Sequence, residues 1–169
     1  MKFEMDHSFA VPLAQVERAL FHPDLCARVL RALDRLEDMQ ELERHETETE
    51  IVRRVRVRPR YEVPSFARGR IRPEMTEYVE ASRYDKGQHR FTYTIHPNIP
   101  AAWSDKFVSK GTYTLAADGA PRTRRHIEVE LVLRIPLVGR IAERYIADQV
   151  RANFDQEARA LESFARELA

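Results

Sequence analysis

A chain of 169 residues, 43% hydrophobic and 9% aromatic, can bury a core and has the composition of a soluble globular protein. Its 28 basic and 27 acidic residues leave a formal charge of +1, so no global field favours nucleic acid. Cys26 stands alone, which excludes an internal disulfide and any cysteine-based metal cluster, and no apolar run approaches the roughly 18 residues of a membrane span.

The opening MKFEMDHSF lacks the apolar core of a signal peptide, so a cytoplasmic protein of one domain, residues 1–169, is expected. Phe3, Met5, His7 and Phe9 alternate with Lys2, Glu4, Asp6 and Ser8, the period of a strand with one buried face. Pro12 then suits a helix's first turn, and Val16, Ala19 and Leu20 give a short helix ending near His22-Pro23. Asp24 can cap a second short helix that turns Leu25, Val29, Leu30 and Leu33 inward. Leu36 to Arg60 reads as a hairpin with an acidic arm, Glu37 to Glu50, and a basic arm, Arg53 to Arg60. Opposite charges across such a ladder help fix its register. Arg53 falls on the inward face of Val55 and Val57 if the alternation is unbroken; a bulge near Arg53-Arg54 would turn it outward.

Pro59 to Pro73 breaks the periodicity and reads as a loop carrying Val63, Phe66, Arg68, Arg70 and Arg72. A strand from about Met75 to Ser82 turns at Asp85-Lys86-Gly87 into another with His89, Phe91, Tyr93 and Ile95 on one face. Trp103 lies in the connection to a strand over Val108–Leu115, and Ile127, Val129, Leu131, Leu133 and Ile135 form the inward face of the last strand. From about Arg140 to Leu168 the spacing is helical, with Ile146, Val150, Phe154, Leu161, Phe164 and Leu168 in one apolar stripe. Phe154 should be buried against the sheet.

Glu157 interrupts that stripe, with Asn153 beside it. A carboxylate there needs a partner, because desolvating it alone costs several kcal/mol. An arginine of the sheet, Arg53 for one, would serve; escape to solvent, ligand recognition and acid–base chemistry are the other readings. The six histidines show no metal-binding spacing, and there is no GxSxG, glycine-rich phosphate loop or CxxC, so neither metal nor cofactor is expected and no catalytic set stands out. His7 and His89 sit on apolar faces and could line a cavity, or could be hydrogen-bonded structural histidines. Tyr93, Tyr113 and Tyr145 could aim hydroxyls inward from apolar rings.

The order strand, two short helices, about six strands and a long helix resembles the START/Bet v1-like superfamily, the helix-grip fold. The residues carrying the resemblance are Met1-Lys2-Phe3 with Phe9 and Pro12, Val63-Pro64-Ser65-Phe66, Asp118-Gly119, and Ile135-Pro136-Leu137-Val138-Gly139 leading into Ile141-Ala142-Glu143. Within the superfamily the chain is similar to a bacterial family of unknown function, and more faintly to PRELI-like lipid-transfer proteins. The resemblance implies an α+β fold, a curved antiparallel sheet of six or seven strands gripping the terminal helix around a cavity for apolar ligands. The ligand-binding residues expected are His7, Phe91, Tyr93, Tyr113, Val129, Leu131, Tyr145, Asn153 and Glu157. Val63, Phe66, Arg68, Arg70 and Trp103 are expected at the cavity mouth, where basic and apolar side chains together also suit peripheral membrane contact. The leading expectation is binding or transport of a hydrophobic or amphipathic, lipid-like molecule by a monomer or weak dimer. The alternatives are a cyclase- or dehydratase-type enzyme using His7, Glu157 or a tyrosine as acid or base, and an interaction module with a filled core.

Overall fold

The computed structural model describes residues 1–60, 63–65, 68–69, 71–134 and 139–169. Phe66 and Arg70, and the junction residues Ile135, Pro136, Leu137 and Val138, lie outside the described residues. The element order is β1 (Lys2–Phe9), α1 (Leu13–Leu20), α2 (Leu25–Ala32), β2 (Leu36–Glu46), β3 (Glu50–Pro59), β4 (Tyr78–Asp85), β5 (Arg90–Pro97), β6 (Phe107–Ala117), β7 (Thr123–Leu133) and α3 (Gly139–Glu167). The strands form one antiparallel sheet in the order β1-β7-β6-β5-β4-β3-β2. The helix α3 packs on β1 and β7 and against α1 and α2, so the sheet wraps its apolar side.

Alternation places the inner face. Ile51, Arg53, Val55 and Val57 of β3 are all buried, so the run is unbroken and Arg53 points inward. The register shifts fall instead in β2, at Leu36/Asp38 and Glu41/Glu43. The charged arms pair as expected in part: Arg54 meets Glu43 at 3.1 Å and Arg56 meets Asp38 at 3.4 Å, while Arg58 turns to Glu77 at 2.9 Å. These exposed pairs add little stability individually and chiefly favour one register.

Three local expectations are corrected. Asp24 makes no side-chain cap for α2; its own amide donates to His22 Nδ1 at 3.1 Å. Residues Pro73–Thr76 form a 3-10 turn, closed by the Thr76 hydroxyl on the Pro73 carbonyl at 2.7 Å, and the strand starts only at Tyr78. Proline's fixed φ favours that turn over extension. His89 lines no cavity: it sits at the β4–β5 turn with φ 51° and Nδ1 2.6 Å from Glu17 Oε1.

Candidate ligand-binding site

Between α3 and the middle of the sheet lies a cavity of about 340 Å³. The short helices supply Leu20, Leu25, Val29 and flanking Leu33; the sheet supplies Arg53, Val57, Tyr78, Glu80, Phe91, Tyr93, Ser109 and Tyr113; α3 supplies Ala142, Tyr145, Ile146, Val150, Asn153, Phe154 and Glu157. The lining is mainly apolar, with a few polar groups on the sheet side, a usual composition for small-molecule sites. Tyr93 is seated by Gly111, which faces it across the β5–β6 ladder. A Cβ on Gly111 would lie 2.6 Å from the Tyr93 hydroxyl and 2.7 Å from the Glu128 carbonyl, so only glycine admits the phenol there. Gly139 likewise lets α3 start against the end of β7, where a Cβ would come within 2.6 Å of the Leu133 carbonyl.

Phe91 stacks on Tyr113 at 4.6 Å between ring centres, and Tyr93 and Phe154 approach to 6.3 Å. Burial pushes the hydroxyls of Tyr93 and Tyr113 well above the ordinary phenol range, so both remain neutral at physiological pH. Glu80 is partly buried and lines the cavity. Desolvation raises its pKa despite the opposing field of Arg53; Glu157 raises it further, and the Ser82 hydroxyl opposes the shift.

Of the residues expected to meet ligand, Phe91, Tyr93, Tyr113, Tyr145, Asn153 and Glu157 line this cavity; at the expected mouth, Val63 and Trp103 do. Three expectations are corrected. Val129 and Leu131 are buried in the solid core beside β1 and do not reach the cavity. His7 also lies off the cavity. Its Nε2 is 2.9 Å from Asp155 Oδ1, and its Nδ1 accepts from Arg125 Nε at 3.3 Å and Nη2 at 3.1 Å. Arginine can only donate, so the network assigns the ring proton to Nε2, facing Asp155. Arg68, expected at the mouth, is exposed, and its Nε donates to the carbonyl of Val63, which lines the cavity, at 3.2 Å.

Glu157 does find an arginine of the sheet, but it is Arg125 rather than Arg53, with Nη2 2.8 Å from Oε2. Arg125 is fully buried, its guanidinium over the rings of Phe9, Tyr113 and Phe154 at 5.3–5.5 Å. Arg125 and Glu80 are charged residues that sequence reasoning overlooked. The signal was available: Arg125 stands two residues before Ile127, and Glu80 two before Ser82, each on an inward register. Away from the cavity, Glu4, His126 and Glu128 could share a cation on the outer face, although Asp6 already holds His126 Nδ1 at 3.0 Å.

The sheet, the helix it grips and the cavity between them make up the START/Bet v1-like (helix-grip) fold. TTHA0849 from Thermus thermophilus superposes with a TM-score of 0.69 at 15% identity, over 100% of this chain and 99% of that one. The ZhuI aromatase/cyclase from Streptomyces sp. R1128 gives 0.63 at 17% identity, over 98% of this chain and 93% of that one. A START superfamily protein from Mycobacterium smegmatis gives 0.61 at 10% identity, over 99% of each. At these identities the likeness concerns the fold. No curated protein matches the chain. Residues 4–164 match the family model described as protein of unknown function (DUF2505), and the chain belongs to that family. Among the described residues no helix is long and apolar enough to cross a membrane.

Proposed function

We propose that this chain, acting as one domain, binds or carries a hydrophobic or amphipathic small molecule in the cavity between α3 and the sheet. The observation that carries the reading is the cavity itself: about 340 Å³, walled mainly by apolar side chains, with a small polar group of Arg53, Glu80 and Tyr93 on one wall. A core meant only for packing would close such a space, because unfilled volume costs stability. That argues against an interaction module with a filled core. Native mass spectrometry after gentle purification tests the reading. The expected result is a bound mass removed by organic extraction and lost when Ser109→Phe fills the cavity from β6. Absence of any bound mass, together with no binding across varied lipids, sterols and aromatic polyketides, overturns it.

The enzymatic alternative draws support from one observation. Glu80 faces the cavity with its pKa raised, the state a general acid requires. It takes the place expected for His7, which lies off the cavity, and for Glu157, which is engaged by Arg125.

The same residue yields a stability prediction. The unfolded carboxyl ionises near 4.5, the folded one at higher pH. Above 4.5 the unfolded state therefore binds fewer protons than the folded state, and stability declines as pH rises through the folded pKa. Glu80→Gln should stabilise the protein at pH 7, and the gain should vanish below about pH 4.5. Urea denaturation at the two pH values checks this; an equal effect at both would show that Glu80 is ionised in the folded protein.

A further inference from the structure

Two arginines point into the interior, and they are treated differently. Arg125 has a carboxylate at 2.8 Å and a histidine nitrogen at 3.1 Å. Arg53 is 6% exposed and lines the cavity, yet among the described residues it takes part in no ion pair. Its Nη1 donates to the Leu20 carbonyl at 3.2 Å, while its Nε is buried without a partner. The guanidinium lies over the rings of Phe21 at 5.5 Å and Phe91 at 5.7 Å, which fix its plane without neutralising its charge. The acid facing it from the next strand, Glu80, is held toward its neutral form by burial. A guanidinium does not lose its proton, so the positive charge stays in a largely apolar enclosure. Such a charge is costly unless an anion joins it.

We infer that the ligand of this cavity carries a carboxylate, or an equally planar oxyanion, which seats on Arg53 while its apolar body lies among Tyr93, Phe154, Val150 and Ile146. A flat two-oxygen anion matches the fork of guanidinium donors. The inference rests on the cavity's being the ligand site and adds the chemical class of what enters it.

The test compares acids with neutral alcohols of matching shape. Decanoate against 1-decanol, and 2-naphthoate against 2-naphthol, would be titrated calorimetrically into the full chain at pH 7. We expect each acid to bind at least tenfold tighter than its alcohol, and Arg53→Met to abolish the difference. Equal affinities for acid and alcohol overturn the inference and leave the cavity reading standing. A preference that survives in Arg53→Met also overturns it, since the charge would then lie elsewhere. Failure of all four compounds to bind overturns the inference, and the cavity reading falls with it only if native mass spectrometry also finds no bound mass. If Arg53→Met does not fold, Arg53→Lys keeps the charge but not the fork, and should bind the acids more weakly while still preferring them to the alcohols; an Arg53→Lys chain with no such preference overturns the inference.

Discussion

Replacing Arg125 by methionine should lower stability by about 3–5 kcal/mol, the loss usual when one member of a buried ion pair is removed. The side chain is fully buried, is packed on Phe9, Tyr113 and Phe154, and links Glu157 of α3 to His7 of β1. Its removal strands a carboxylate on the helix's inner side and takes a hydrogen-bond donor from His7. For a chain of this length a loss of that size lowers the melting temperature by about 6–20 °C. Pairing the change with Glu157→Gln should recover a large part of it, because the double variant leaves no stranded charge. Differential scanning calorimetry of the single and double variants decides the matter. A single variant within about 1 kcal/mol of the parent would mean that Arg125 is not what fastens the helix to the sheet.

The second large effect contrasts two residues of the same helical stripe. Leu161 is fully buried between α3 and the core, and Leu161→Ala should cost about 3–4 kcal/mol through lost transfer energy and the void left behind. Phe154 shares the stripe, but it is half-buried and lines the cavity. One side of its ring already faces empty space, so its truncation forfeits fewer contacts and should cost about 2 kcal/mol, below the range for a fully packed phenylalanine. Phe154→Ala also enlarges the cavity, and ligands bulkier than the parent's should gain affinity relative to smaller ones. Chemical denaturation followed by Trp103 fluorescence gives both stabilities. If Phe154→Ala costs more than Leu161→Ala, the cavity is filled at that point and the apolar space described between helix and sheet is wrong there.

Read alone, the sequence determined the architecture. Strand alternation from Phe3 to Phe9 and from Ile127 to Leu133, together with three- and four-residue spacing from Ile146 to Leu168, depends only on local geometry and on which side of an element is apolar. Those patterns gave the element order and the inward placement of Phe91, Tyr93 and Tyr113; that the strands join in one curved sheet of six or seven was what the resemblance implied. They also showed that Glu157 interrupts the apolar stripe, with a sheet arginine as one of its readings. They could not choose the partner. Arg53 and Arg125 lie on β3 and β7, separated in the sheet by β4, β5 and β6, and both face inward; which one meets the helix depends on where α3 crosses. Because α3 packs on the β1–β7 side, Arg125 is taken, while Arg53 is left facing the cavity with Glu80. The same offset explains why Val129 and Leu131, on the correct face, became solid core while Glu80, on the correct face elsewhere, became cavity wall. Face is a local property of a strand, but whether a face is covered by helix or by empty space is set by the angle and position at which distant segments pack, and only the tertiary structure holds that information.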